Sequence, residues 1–183
     1  MAIKCSVYIA TSVDGFIARE DGDIEWLHRP EFSDADTLGL SYEKFISTVD
    51  MLVMGRNTFE KVLTFSKWPY NHVPVMVLST GQVEIPELLV GKVRVASGSP
   101  VDLVKMLEHE GKSHLYIDGG ITIQRFLRAG LIHEIVLTVI PILLGKGIRL
   151  FGNETMEWPL ELINLSQSRS GMVQMHYKVK TGH

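Results

Sequence analysis

The chain has 183 residues, of which 45% are hydrophobic and 21% are charged, and its formal net charge is −3. These values are ordinary for a globular protein, so they exclude a disordered or fibrous chain, and we expect one domain over residues 1–183. Because the basic residues are scattered, the chain offers no electrostatic surface for nucleic acid or for an anionic membrane.

The single cysteine and the start of the chain bear on where the protein works. Cys5 lies in an apolar segment, so it predicts a buried, unreactive thiol, and no intramolecular disulfide can form. The amino terminus enters an alternating apolar segment directly, without the basic region of a leader, and no apolar run is long enough to span a bilayer. We therefore expect a cytoplasmic protein.

The first half of the chain predicts a strand, a loop and a strand-to-helix unit. Alternation predicts a strand over residues 3–10, which enters an Asp-Gly turn at Asp14, and a polar surface loop anchored by Trp26 follows. Apolar spacing predicts a helix over residues 34–48. The apolar run 51–54 then predicts a strand covered on both faces, which ends at a glycine before the next helix.

The second half repeats this pattern and ends differently. Strands are predicted over residues 73–78 and 92–96, and a helix with a Ser cap at Ser99 and Pro at its first position follows. A strand, a glycine turn and a helix fill residues 114–130, and a β-branched strand fills 132–140. The tail around Gly171 predicts a closing antiparallel hairpin, so the fold class is α/β with a mixed sheet.

Two glycine-marked helix entrances are candidate anion sites. Gly55-Arg56-Asn57-Thr58 combines a glycine, a forked cation and a hydroxyl at a helix start, and Asp118-Gly119-Gly120 offers a second bare backbone surface. Each sequence taken alone is more typical of an ordinary turn than of an anion site. Together with the small polar strand end Ser79-Thr80, they would accommodate the pyrophosphate, ribose phosphate and adenine of a dinucleotide.

Other chemistries lack their sequence signatures. Neither G-x-G-x-x-G after the first strand nor the P-loop sequence occurs, and no G-x-S-x-G marks a serine nucleophile. The seven histidines lack metal-ligand spacing and there is one cysteine, so we expect no metal site. Hydride transfer requires no such nucleophile because the coenzyme supplies the electrons.

Four motifs in order resemble the dihydrofolate reductase-like superfamily. They are Ser12-Val13-Asp14-Gly15, Gly55-Arg56-Asn57-Thr58-Phe59-Glu60, Asp118-Gly119-Gly120 and Pro141-Ile142-Leu143-Leu144-Gly145-Lys146-Gly147. The combination is most similar to the riboflavin biosynthesis reductase family, the C-terminal domain of the bacterial bifunctional deaminase-reductase. The resemblance implies a three-layer α/β/α fold with a mostly parallel central sheet, a reductase activity and a homodimer, for which residues 136–144 would supply an apolar sheet edge.

The resemblance also implies where NADPH would bind. Gly55, Arg56, Asn57 and Thr58 would hold the adenosine phosphate side, Ser79 and Thr80 would border the adenine, and Gly119, Gly120, Ile121 and Thr122 would hold the pyrophosphate. Ala10 and Ile17 would flank the nicotinamide. Arg56 favours NADPH over NADH, since a guanidinium beside the ribose can pair with the extra phosphate.

On the substrate side, the resemblance implies Trp26, Glu31 and Thr138 as binding residues, with Asp14 and Asp118 as candidate proton donors. The substrate would be a small heterocyclic or sugar-derived molecule. The sequence 66–70 departs from the acid, proline and arginine pattern with which riboflavin-pathway reductases grip a ribose phosphate. A dihydrofolate reductase-type pteridine reductase and a non-catalytic nucleotide-binding module therefore remain alternatives.

Overall fold

The computed structural model describes residues 2–32, 39–152 and 156–180. Its strands are β1 (Lys4–Ser12), β2 (Phe16–Ala18), β3 (Met51–Gly55), β4 (Val75–Leu78), β5 (Val93–Ala96), β6 (His114–Asp118), β7 (Glu134–Ile140), β8 (Ile148–Arg149), β9 (Leu160–Gln167) and β10 (Val173–Val179). Its α-helices are α1 (Tyr42–Ile46), α2 (Arg56–Leu63), α3 (Pro100–His109) and α4 (Gly120–Arg128), and short 3-10 turns occupy Glu25–His28, Pro30–Phe32 and Glu87–Leu89. None of the helices in these ranges is long and apolar enough to cross a membrane.

Eight strands form one sheet in the order β5-β4-β3-β6-β1-β7-β10-β9. The first six are parallel to one another, whereas β10 is antiparallel to both β7 and β9. This arrangement confirms the predicted mixed, mostly parallel sheet with a C-terminal antiparallel hairpin. The small ribbon that β2 and β8 form beside it was not predicted, because its strands have three and two residues.

Helices cover the sheet on both faces, which explains the continuous apolar run in β3. Met51 and Val53 pack in one core cluster with residues of α3 and α4, whereas Leu52 and Met54 pack in a second cluster with residues of α1 and α2. Successive residues of a strand point to opposite faces, so a strand with apolar neighbours above and below has no polar positions. The result is three layers, with the sheet in the middle.

Two helix starts test the capping patterns. Ser99 Oγ accepts a hydrogen bond from the Asp102 backbone N–H at 3.2 Å, and α3 begins at Pro100, as predicted. The helix predicted over residues 34–48 is much shorter, because Ser41 is extended and caps α1, so the helix begins at Tyr42. Residues 34–38 of that prediction lie outside the described residues.

The predicted apolar sheet edge at residues 136–144 is wrong. β7 lies between β1 and β10, and Val136 is 1% exposed. The chain end reverses at the Gly171 turn and adds two more strands beyond β7. The apolar edge strand is β9 instead, where Leu160, Leu162, Ile163 and Leu165 are all more than 40% exposed.

Candidate active site

A cavity of about 520 Å³ opens where β1, β3 and β6 end. These strands are parallel neighbours or next neighbours, so their carboxyl ends and the loops that follow meet at one edge of the sheet. Most of the residues predicted to hold the cofactor line this cavity: Ala10, Ile17, Gly55, Arg56, Asn57, Thr58, Gly119, Gly120, Ile121 and Thr122. Two separate sequence motifs therefore contribute to one site.

The two helices that start at the cavity lack side-chain caps. α2 follows Gly55 and α4 follows Gly119, and neither glycine can accept from the first-turn N–H groups. In contrast, α1 and α3, whose starts do not line this cavity, are capped by Ser41 and Ser99. The first-turn N–H groups of α2 and α4 are therefore available to an anion in the cavity, where the helix dipoles favour negative charge.

The two helix starts also pack directly against each other. A Cβ at Gly119 would run into Thr58 Oγ1, and a Cβ at Gly55 would lie 3.0 Å from Thr122 Oγ1. The threonine of each helix thus packs against the glycine of the other. Gly119 also has a φ of +88°, which a side chain would disfavour. Both glycines are required for this close approach, which joins the two helix starts into a single site.

A second, polar cavity of about 250 Å³ adjoins the first one. It is lined by Ser79 and Thr80, together with Ser97, Gly98 and two residues shared with the larger cavity, Leu78 and Arg125. Arg125 is held by a 3.0 Å hydrogen bond to the Gly98 carbonyl. The two cavities together form an elongated site that is cationic and hydroxyl-rich at one end.

Arg56 lines the larger cavity and extends toward the turn that follows β4. Its Nε pairs with Glu60 one helical turn away at 2.6 Å, and its Nη1 would lie 3.6 Å from a Cβ at Gly81, in the turn after β4. The guanidinium therefore reaches the strand end that carries Ser79 and keeps further N–H groups for a ligand. Such a group suits a phosphate on a ribose in this region.

The β2–β8 ribbon forms one wall of the larger cavity. Ile17, Ala18 and Ile148 line it, and the Arg149 guanidinium stacks 4.6 Å over the Phe16 ring on the same ribbon. A Cβ at Gly120 would lie 2.9 Å from Ile17 Cδ1. The second glycine of the pair thus allows the ribbon to approach the start of α4 closely.

Asp14 holds this ribbon in place and is not among the cavity-lining residues. Its carboxylate accepts hydrogen bonds from Ser12 Oγ at 2.6 Å and from the backbone N–H groups of Leu144 at 3.1 Å and Gly145 at 2.7 Å. These bonds, with that from Ser12 first, lower the pKa of Asp14 to about 2. A group so acidic carries no proton near neutrality, so we correct the expectation that Asp14 donates one. It joins two of the sequence motifs instead.

Asp118 has the opposite environment. It lines the cavity at the end of β6, and burial raises its pKa to about 6, although the hydrogen bond from the Gly119 N–H at 2.8 Å opposes the shift. Desolvation disfavours the charged carboxylate, so about half of the groups keep their proton at pH 6, where an exposed aspartate would be ionised. Of the two predicted proton donors, only Asp118 combines access to the cavity with a suitable pKa.

The three predicted substrate-binding residues do not line the cavity. Glu31 is exposed and lies 3.7 Å from Arg29, and Trp26 is buried, with an indole N–H that has no partner among the described residues. Thr138 pairs with Ala10 across the strands, and its hydroxyl lies 3.5 Å from the amide nitrogen of the buried Gln174. The described cavity lining therefore does not include these side chains, and their contact with a substrate stays a prediction.

The remaining cavity wall is largely aromatic and was not predicted. Tyr8, Tyr70, Tyr116 and Phe65 line it, together with Ile24, Leu27, Val62 and Lys61. Tyr8 stacks on Phe45 with ring centroids 5.0 Å apart, and Tyr116 meets Phe45 edge to face at 5.1 Å. Aromatic side chains in a cavity wall can stack against a planar ring.

One sequence signal could have revealed two further site residues. Lys61 and Arg125 follow Thr58 and Thr122 by three positions, so both helix starts read G-x-x-T-x-x-K/R. Residues three apart share a helix face, and all four side chains line the cavity. Among the described residues, no three His, Cys, Asp or Glu side chains converge in the way a metal ion would require.

The class of protein follows from its similarity to solved structures. Dihydrofolate reductase from Enterococcus faecalis superimposes with a TM-score of 0.66 at 15% identity, over 97% of this chain and 96% of that one. The fold is therefore dihydrofolate reductase-like. More particularly, the chain belongs to the RibD C-terminal domain family, which matches residues 4–174.

Two further solved structures agree with this assignment. A protein from Shewanella sp. PV-4 that carries a riboflavin-biosynthesis description is 40% identical, with a TM-score of 0.89, over 97% of this chain and 99% of that one. A diaminohydroxyphosphoribosylaminopyrimidine deaminase/5-amino-6-(5-phosphoribosylamino)uracil reductase from Thermotoga maritima gives a TM-score of 0.72 at 14% identity. The match covers 98% of this chain and 57% of that one, and at this identity it shows the fold alone.

Proposed function

We propose that this protein is an NADPH-dependent reductase that transfers a hydride to a small heterocyclic or sugar-derived substrate, as 5-amino-6-(5-phosphoribosylamino)uracil reductase does in riboflavin biosynthesis. The observation that carries the proposal is the pair of uncapped helix starts at one cavity, each with a G-x-x-T turn, beside a cationic and hydroxyl-rich second cavity. An elongated coenzyme with an anionic pyrophosphate and a further phosphate on its ribose matches both parts of this site.

Different residues of the site would bind different parts of the coenzyme. Backbone N–H groups of Asn57, Thr58, Ile121 and Thr122 would hold the pyrophosphate, and Ser79 and Thr80 would border the adenosine. Arg56 and Arg125 would bind the phosphate that distinguishes NADPH from NADH. Ala10 and Ile17 would support the nicotinamide, which supplies the hydride when bound.

The chain's own chemical contribution is a proton. Asp118 stands at the end of β6, between the glycine turn and the aromatic wall, and burial raises its pKa to about 6. Its protonated form can donate to a substrate nitrogen or oxygen, directly or through a water that it orients. The apolar wall excludes bulk water and so keeps this carboxyl protonated at a pH where an exposed aspartate would be ionised.

Calorimetry followed by a turnover assay tests the proposal. We expect NADPH to bind with micromolar affinity and NADH to bind more weakly, and we expect the loss of NADPH absorbance to accelerate with at least one member of a panel of pteridines and aminopyrimidine ribosyl phosphates. A protein that binds neither nucleotide is not a reductase of this kind. Binding without turnover on every compound would identify a nucleotide-binding module, and turnover of dihydropteridines alone would identify a pteridine reductase.

We also propose that the protein is a cytoplasmic homodimer that pairs through β9. This strand is at the sheet edge and exposes Leu162 and Leu165, and an unpaired apolar edge invites a second strand. Sedimentation equilibrium should give twice the chain mass, and replacement of both leucines by lysine should give monomers. A wild-type protein that sediments as a monomer at micromolar concentration would refute the dimer without affecting the reductase proposal.

A further inference from the structure

Tyr70 contributes an unengaged hydroxyl to the cavity. The hydroxyls of the other two tyrosines in the wall are already used, since Tyr8 donates to the Leu40 carbonyl and Tyr116 donates to the Tyr8 carbonyl, both at 2.9 Å. The Tyr70 hydroxyl makes no hydrogen bond within the described ranges, although the residue is 9% exposed. A hydroxyl of a cavity-lining side chain that has no protein partner is available to a bound ligand.

The position of the Tyr70 ring is well defined. Trp68 meets it edge to face, with ring centroids 5.3 Å apart at 89°, and Trp68 in turn meets Phe59 of α2 at 6.0 Å. Val73 and Tyr70 belong to the same buried cluster as the α2 residues. This packing fixes the ring beside α2, so its hydroxyl is held in place before a ligand arrives.

Tyr70 also lies close enough to Asp118 to sense its charge. Burial raises the pKa of Tyr70 well above its ordinary value, and the negative charge of Asp118 raises it further. The phenol therefore keeps its proton at any physiological pH and can act only as a hydrogen-bond donor or a neutral acceptor. Beside it, Asp118 offers an oxygen that can accept when ionised and donate when protonated.

Several apolar side chains and Lys61 share the cavity wall with these two groups. The apolar ones are Ile24, Leu27, Val62 and Phe65, and Tyr70 is the only member of residues 66–70 that lines the cavity. The segment after α2 thus presents a neutral hydrogen-bond donor to the cavity, with no cation from those five residues. Such a wall can form a hydrogen bond to a polar group at the edge of a ring.

We propose that Tyr70 is a substrate-binding residue that donates its hydroxyl hydrogen to a ring carbonyl or ring nitrogen, while Asp118 contacts the neighbouring position of the same ring. This inference rests on the proposed function and narrows it to a substrate class. The substrate is a planar heteroaromatic ring that carries a hydrogen-bond acceptor and, next to it, a second polar group. Binding at this wall depends on these polar groups at the edge of the ring.

The test uses lumazine, a bicyclic pteridine with two ring carbonyls and no side chain, and protein saturated with NADP⁺ so that no turnover occurs. Calorimetry should show lumazine binding to the wild-type protein and a loss of about tenfold in affinity in Tyr70→Phe, since one hydrogen bond to a ligand is removed. NADP⁺ affinity and the thermal melting of this variant should remain close to wild type.

Tyr42→Phe is the matched control. Tyr42 packs against Tyr8 and Tyr116 in the same aromatic cluster, but it does not line the cavity. It should leave lumazine affinity unchanged. If Tyr70→Phe binds lumazine as tightly as wild type, if Tyr42→Phe loses as much affinity, or if the NADP⁺-loaded wild type does not bind lumazine, the inference is wrong and the reductase proposal stands. Failure to bind either nicotinamide nucleotide would instead refute the proposed function itself.

Discussion

Replacement of Gly119 by alanine tests the close packing of the two helix starts. Gly119 has φ +88° and ψ 132°, a conformation that costs an L residue roughly 1–3 kcal/mol. The new Cβ would also overlap Thr58 Oγ1 and contact Thr58 Cβ at 3.4 Å, and overpacking of this kind costs about 1–3 kcal/mol. We therefore expect Gly119→Ala to lower the free energy of unfolding by about 4 kcal/mol and to weaken NADPH binding.

Two further variants separate the backbone penalty from the overlap. Gly111 also has a positive φ, of +80°, but a Cβ there would meet nothing within 4 Å, so Gly111→Ala should cost only about 1 kcal/mol. Thr58→Ala removes the overlapping hydroxyl, so the double variant Thr58→Ala, Gly119→Ala should recover about 1–2 kcal/mol of the loss.

Urea denaturation followed by circular dichroism measures all of these free energies on one scale. The informative quantity is the effect of the Gly119 substitution in the two backgrounds. If Gly119→Ala costs the same whether residue 58 is threonine or alanine, the two turns do not pack against each other as described. If it costs no more than Gly111→Ala, the overlap is absent.

Three other predictions concern the coenzyme, the proton and a buried histidine. In calorimetry, Arg56→Ala should weaken NADPH binding by about tenfold to a hundredfold and leave NADH binding nearly unchanged. Glu60→Ala removes only the ion-pair partner of Arg56 and should not weaken NADPH binding, and equal losses for both nucleotides in Arg56→Ala would contradict this role. Because burial raises the pKa of Asp118 to about 6, kcat/KM should decline by about tenfold per pH unit above that value. Asp118→Asn should abolish this decline, and a wild-type pH profile that is flat above pH 6 would exclude Asp118 as the proton donor. Burial lowers the pKa of His114 below its ordinary 6.5, so the unfolded chain takes up this proton at a higher pH than the folded chain does. Stability should therefore fall as the pH drops from 6.5 toward the folded pKa, and a urea midpoint that is equally pH-dependent in His114→Asn would refute this.

Burial of His114 explains why its neutral form is favoured, whereas its hydrogen bond to the Thr48 carbonyl raises the pKa and opposes the shift. Its ring contacts Ser6 Oγ at 2.8 Å and the Thr48 carbonyl at 2.9 Å, and it is 8% exposed. A proton on both ring nitrogens would add a charge at a site with little solvent. The carboxylate of Asp50, which accepts from the His114 backbone N–H at 2.8 Å, offsets only part of this cost.

The fate of the predicted site residues shows which inferences a sequence supports. The glycine turns at Gly55 and Gly119 could be located because strand, turn and helix follow each other within a few residues. The roles of Asp14 and Asp118 could not be separated, since both are aspartates next to a glycine. Their pKa values differ because Asp14 accepts a hydrogen bond from Ser12 Oγ and further ones from the distant backbone N–H groups of residues 144 and 145, whereas Asp118 is desolvated at the cavity.

Local sequence was sufficient to predict the alternation of strands and helices, the capped start of α3, the closing hairpin and the two glycine turns, because these depend on local periodicity and backbone sterics. Other features arise only when the whole chain packs: Gly55 and Asp118 end adjacent strands, Thr58 packs on Gly119, and Tyr70 lines the cavity. Strand order, long-range contacts and solvent exclusion are properties of the whole packed chain, so no short stretch of residues encodes them.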